Sequence, residues 1–329
     1  MHPAISVILL TTLIGVGQGL FLALYTSEIY SMIDLLPVQN SQSFYALGSL
    51  VALSFLIMGL FASFFHLGRP LRAWRSSSQW RTSWLSREVI ILPILMILIV
   101  LYGTIHYFGW AEKQLFSLQQ MRLLNLSLLI GALATLVTFA LFVGTSMIYA
   151  SLRFLQEWHN PLTVINYILL GGASGFTLAV GFAVYVEANV VNFYALWAII
   201  LTMMAFITRS LSLIRNSQIK PKSNLQTAIG MRHTLITQKA QGFMGGSFNT
   251  REFFHGKSLD KLNAVKVIFL VLIFLVPIIL LFLVTMFAVV PLALAISAFI
   301  IQYLGIVIER WYFFTEGTHP QNLYYQTVS

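Results

Sequence analysis

Eight apolar stretches recur along this chain, each about 20 residues long and so able to cross ~30 Å of hydrocarbon. They span 4–24, 44–65, 89–108, 124–148, 162–186, 190–208, 265–285 and 289–308. In lipid every backbone amide needs an internal partner, so each stretch is read as a helix. Composition agrees: 9% of the residues are charged and 58% are hydrophobic, where a soluble domain would be about a quarter charged. The predicted fold class is all-α, a polytopic membrane protein with eight transmembrane helices in a bundle. Residues 1–329 are expected to form a single integral membrane domain, bathed in membrane lipid, with one long basic extramembrane loop at about 209–264.

Charge then sets orientation. With the N-terminus inside, the inner loops hold Arg69, Arg72, Arg75, Arg81, Arg87, Arg153, Arg310 and all the basic residues from Arg209 to Lys266. Only Lys113 and Arg122 fall outside. The positive-inside rule therefore places both termini, and the loop after the second span, in the cytoplasm. The same rule accounts for the net charge of +9 without nucleic acid as a partner. MHPAISVILL lacks the basic region of a cleaved signal peptide, so the first span is expected to be retained. Small residues at Gly15 and Gly19, and at Gly171 and Gly175, mark faces where helix backbones can approach closely. Gln18, a polar side chain in the first span, is expected to hydrogen-bond to another helix.

Several cofactor classes are set aside by what the chain lacks. It has no cysteine, which excludes iron–sulfur ligation by this chain and a thiolate nucleophile. Haem in a helical bundle commonly uses histidines at depth on facing helices, yet His66 and His106 lie at span ends and the rest are terminal or in loops. No haem is expected. The spans as drawn contain no carboxylate, which argues against a transporter driven through charged groups in mid-membrane.

Chemistry is therefore sought at a membrane surface, and the richest segment there is HLGRPLRAWRSSSQWRTSWLSRE, residues 66–88. His66 closes the second span, with Arg69 and Arg72 three and six residues on, although Pro70 disfavours continuation of the helix. Trp74, Trp80 and Trp84 suit an interface. One reading is an ordinary basic loop with an aromatic belt. The other is a quinone headgroup pocket, in which a histidine titrating near pH 6.5 moves a proton and an arginine holds a carbonyl oxygen. Glu88 would relay a proton or pair with Arg87; its plainer role is a carboxylate at a helix N-terminus.

Weaker candidates lie in neighbouring loops. Tyr149, Arg153, Trp158 and His159 surround the connection between spans four and five, and Glu309 with Arg310 reads as a structural anchor after span eight. The 209–264 connection is either a solvated basic loop or a docking arm, the latter suggested by Phe243, Phe248, Phe253 and Phe254. Its glycine cluster lacks the features of a phosphate-binding loop.

HLGRPLRAW (His66 to Trp74), LSREV (Leu85 to Val89), GFMGGSFNTREFFHG (Gly242 to Gly256) and IERWYFF (Ile308 to Phe314) together resemble the membrane-anchor subunits of dimethyl sulfoxide reductase and related quinol-linked molybdenum oxidoreductases. The resemblance spans the full chain and implies a bacterial inner-membrane protein of anaerobic respiration. Such an anchor carries no redox cofactor of its own. It oxidises menaquinol and passes the electrons to a four-cluster iron–sulfur subunit, which feeds a molybdopterin catalytic subunit. The family histidine linked to quinol oxidation falls on His66, and its serine–x–glutamate on Ser86 and Glu88. With Arg69, Arg72 and Arg87 these make up the expected quinol site. Two rivals stand beside this reading: a structural assembly anchor without a quinol site, and a neutral-solute permease.

Overall fold

A computed structural model describes residues 3–111, 125–220, 222–233, 235–236 and 257–320. Eight long helices dominate: α1 (Ile5–Met32), α2 (Ser41–Phe64), α3 (Trp84–Tyr107), α4 (Leu126–Ala150), α5 (Pro161–Tyr185), α6 (Val191–Ser217), α7 (Leu259–Met286) and α8 (Leu292–Glu316). All eight are long and apolar enough to cross a membrane. Among the described residues there is no strand. A short helix, Leu225–Ile229, lies between α6 and α7. Lys113, Arg122 and the 242–256 segment with its phenylalanines lie outside the described residues.

The bundle is built around two helices. In α1 and α5, 72% and 89% of the most apolar stretch is buried, against 39% or less in the other six. The outer helices instead turn large side chains such as Phe61, Ile97, Leu136 and Ile207 outward, as lipid permits. The central pair meets along glycines. Gly15 and Gly19 of α1 lie against Gly171 and Gly175 of α5, and a Cβ on Gly175 would fall on the backbone of Gly19. Hydrocarbon gives apolar side chains no net drive to associate, so close backbone packing supplies much of the attraction between these helices. Gln18 adds a polar tie, its Nε2 donating to the Thr138 carbonyl of α4 at 3.0 Å.

Five ends differ from the apolar limits in the sequence. α1 runs to Met32 rather than 24, α6 to Ser217 rather than 208, and α8 to Glu316 rather than 308, while α3 begins at Trp84 rather than 89 and α7 at Leu259 rather than 265. A hydropathy limit stops near the first charge. α1, α6 and α8 continue because the charges there are compensated across the bundle. Arg209 of α6 and Glu309 of α8 are almost fully buried, with Nε and Oε1 2.8 Å apart. Arg209 is thus no loop residue, and the extended spans do contain buried carboxylates, contrary to both expectations.

Two outcomes follow for detergent-solubilised protein. Gly175→Ala introduces a collision that costs about 1–3 kcal/mol, visible as a lower melting temperature, and a native melting curve would contradict the glycine contact. Arg209→Met deprives Glu309 and Glu316 of their shared cation, leaving Glu309 only the 3.7 Å contact to Arg310, and costs about 3–5 kcal/mol by the same measurement. A loss below about 1 kcal/mol would mean that the ion pair lies in water rather than in the bundle.

Candidate functional site

His66 sits one residue past Phe65, the C-cap of α2, in a turn whose amide donates to the Ser63 carbonyl at 3.3 Å. Its side chain is exposed, yet neighbouring chain removes enough water to lower its pKa from the usual 6.5. The helix does not continue. Arg69 takes φ −142° and ψ 77°, as expected before a proline, and Pro70–Gln79 winds as a 3₁₀ helix. Arg69, Arg72 and Arg75 are exposed along this apron, together with Leu71, Trp74 and Trp80.

The apron is tied to the start of α3. The Ser83 hydroxyl caps that helix by accepting from the Ser86 amide. Ser86, buried, turns its own hydroxyl back to the Ser76 carbonyl. Arg87 donates to the carbonyls of Trp80 and Arg81 at 3.0 and 2.9 Å, and its guanidinium lies 4.1 Å from the centre of the Trp84 ring. Arg87 therefore pins the apron and does not pair with Glu88. Glu88 points the other way, into the bundle, where its Oε1 accepts from the Thr145 hydroxyl of α4 at 2.6 Å. The expected site thus divides in two: His66, Arg69 and Arg72 on the exposed rim, and Glu88 buried at the same end of the bundle, with Ser86 and Arg87 between them as fasteners.

Behind Glu88 lies a network that the sequence reading missed. Thr145, with Thr11, Thr12, Gln18, Tyr167, Ser174 and Arg310, lines a small internal cavity of about 10 Å³, room for roughly one water. The Arg310 guanidinium lies 3.7 Å from the centre of the Tyr167 ring. Tyr167 stacks on Tyr149, which stands within electrostatic reach of both Glu88 and Arg310. Arg310 Nη2 is 3.7 Å from Glu309 Oε2, Glu309 pairs with Arg209, and Arg209 Nη2 is 3.8 Å from Glu316 Oε2. Trp158 and Phe313 close this end of the bundle, the indole N–H donating to the Phe313 carbonyl at 2.8 Å. Arg153 and His159, named with them from the sequence, are exposed instead. The usable signal was an acid–base pair, Glu309-Arg310, followed by further apolar residues, WYFF, rather than by a polar loop.

A second polar cluster occupies the far end of the bundle. His106, eighteen residues and roughly 27 Å along α3 from Glu88, is buried. Its Nδ1 lies 2.8 Å from the Ser41 hydroxyl and its Nε2 3.4 Å from Glu28 Oε1. The Tyr102 hydroxyl donates to the other Glu28 oxygen at 2.5 Å, and the Tyr45 ring packs on the imidazole. Position at the end of an apolar run gave no hint of this burial, because α1 extends two turns further than hydropathy indicates and brings Glu28 alongside.

Comparison with known proteins accords with this architecture. The family described as "DMSO reductase anchor subunit (DmsC)" matches residues 1–325. The C subunit of the sulfite dehydrogenase of Allochromatium vinosum is 54% identical over 329 residues, covering the whole of both chains. An eight-helix bundle with a basic, tryptophan-rich apron at one end, matched along its length by such proteins, is a multi-pass anchor of an oxidoreductase complex; the chain belongs to the DMSO reductase anchor subunit family.

Proposed function

We propose that this chain exchanges electrons between a membrane quinone and an electron-transfer partner subunit, with the quinone headgroup handled between His66 and Glu88. The observation that carries the reading is Glu88: a carboxylate removed from water in the opening turns of α3, held by the single hydroxyl of Thr145, at the end of the bundle where lipid-facing helices meet a basic apron. A buried carboxylate beside an apolar surface binds or releases a proton as its surroundings gain or lose negative charge. That is what a lipid-soluble carrier of two electrons and two protons requires.

The resemblance in sequence carries an expectation of menaquinol oxidation. The name of the full-length relative favours the opposite direction, because a dehydrogenase withdraws electrons from its substrate and must deliver them elsewhere. In our reading a molybdopterin partner oxidises sulfite, an iron–sulfur partner relays the electrons, and this chain, without a redox cofactor of its own, passes them to quinone. Glu88 gives one proton to the reduced headgroup and His66 the other, while Arg69 and Arg72 make the rim electrostatically favourable for the developing anion. The soluble partners dock on the apron, which the positive-inside bias puts in the cytoplasm of a bacterial inner membrane.

In the purified complex, Glu88→Gln is expected to lower sulfite-linked reduction of a short-chain quinone about 100-fold, the scale of a lost general acid, while sulfite-linked reduction of a soluble dye stays native. Equal loss of both activities would point to a purely structural anchor, and native quinone reduction would remove Glu88 from the site. His66 adds a pH signature. With its pKa held below 6.5, the imidazole is protonated only in acid, so quinone reduction rises as pH falls through that range. His66→Gln should abolish that acid limb; an unchanged profile assigns the proton elsewhere. Orientation is testable because the chain has no cysteine. Ser78→Cys on the exposed apron should react with an impermeant maleimide in inverted vesicles and not in right-side-out ones; the reverse pattern would put the partners outside.

A further inference from the structure

Glu88 is 6% exposed, and each turnover must reload it with a proton. The residues behind it suggest the route. At the surface, a recess of about 440 Å³ is lined by Gln156, Glu157, Asn216, Lys222 and Thr318 among others. Asn216, on the rim of this recess, donates to the Glu157 carbonyl at 3.4 Å, and Glu157 stands within electrostatic reach of Glu316. Arg209 then bridges Glu316 and Glu309, at 3.8 and 2.8 Å. Arg310, 3.7 Å beyond Glu309, faces Tyr167. Tyr167, Arg310 and Thr145 all border the internal cavity, and Thr145 holds Glu88. The Tyr167 hydroxyl and Arg310 Nε are buried without a well-formed hydrogen bond to the protein, and buried groups of this kind are ordinarily met by an internal water.

We propose that Glu316, Glu309, Tyr167 and a water in the internal cavity form a proton path from the recess beside Asn216 to Glu88. The inference rests on Glu88 serving the quinone. The path is a sequence of groups that can bind a proton, Glu316, Glu309 and Tyr167, with water as the carrier across the gaps where arginines stand between them. An arginine stays protonated, so Arg209 and Arg310 carry no proton; they hold the carboxylates in place and offset their charge. Tyr167 passes a proton by accepting at its oxygen while releasing its own hydrogen to the cavity water, and never needs to become a phenolate. The balance is simple. Two electrons arrive from the relay of the partner subunit, one proton comes from Glu88 and one from His66, and the quinone leaves as quinol. Glu88, now ionised, takes a proton through Tyr167 and Glu309 that entered from water at Glu316.

Glu88 is touched by Thr145 of α4, and Tyr149 of α4 and Tyr167 of α5 stand within its electrostatic reach. A purely structural ion network would use the same arginines and glutamates, so the test must separate conduction from packing. It uses the purified complex, with turnover to a short-chain quinone, the ratio of rates in H₂O and D₂O, and the affinity of a quinone-site inhibitor read by fluorescence. Glu316→Gln and, more gently, Tyr167→Phe should each lower turnover about tenfold or more and raise the isotope ratio, with inhibitor affinity unchanged. A small permeant weak acid should restore much of the rate in Glu316→Gln. Native turnover and isotope ratio in both variants would overturn the path, and so would a fall in turnover matched by loss of inhibitor affinity. If Glu316→Gln fails to assemble, Tyr167→Phe decides alone, since it removes one hydroxyl and no charge. Native turnover in Glu88→Gln would instead defeat the quinone reading, whatever the path variants show.

Discussion

A charge inside a bilayer persists only where another charge or a dipole meets it, and this protein concentrates such meetings at the two ends of its bundle. At one end Arg209 and Arg310 face Glu309 and Glu316; at the other, His106 faces Glu28 and Tyr102. Removing ions from water costs several kcal/mol each, so such pairs add little net stability, although deleting one partner of a pair is costly. The glycine contact between α1 and α5 fixes the scaffold; the paired charges fix what the scaffold can hold.

The arrangement also explains why the apron and the carboxylate share an end. Pro70 stops α2 from running on, the 3₁₀ segment carries the arginines across the surface, and Ser86 and Arg87 fasten it so that the next residue, Glu88, enters the bundle. A basic, exposed rim thereby lies at the same end of the bundle as a buried carboxylate. In the proposed function that combination gives a carrier a place to stop and protons a way to follow the electrons.

Much of this was legible in the sequence. Eight apolar runs marked the helices, Gly15, Gly19, Gly171 and Gly175 marked faces for close packing without saying that the two faces meet, and Gln18 makes the interhelical hydrogen bond expected of it. The segment after α2 announced itself by its arginines, and the break at Pro70 followed from steric rules. Hydropathy failed where charges pair across helices. Arg209 looked like the first residue of a loop and Glu309-Arg310 like the last of a span, because a one-dimensional scale counts each charge as a cost and cannot see its partner a hundred residues away. His106 and Glu28 were hidden for the same reason. The inward turn of Glu88 depends on its position on the α3 face, which no spacing rule distinguished from a carboxylate at a helix start.

The account depends most on where the carrier binds. A photoreactive quinone, activated in the purified complex and followed by peptide mass spectrometry, addresses this directly. Adducts should fall on the opening turns of α3 around Glu88 and the closing turns of α4 around Thr145, and an excess of unlabelled quinone should suppress them. Adducts confined to the other end of α3 near His106, or to a partner subunit alone, would contradict the account.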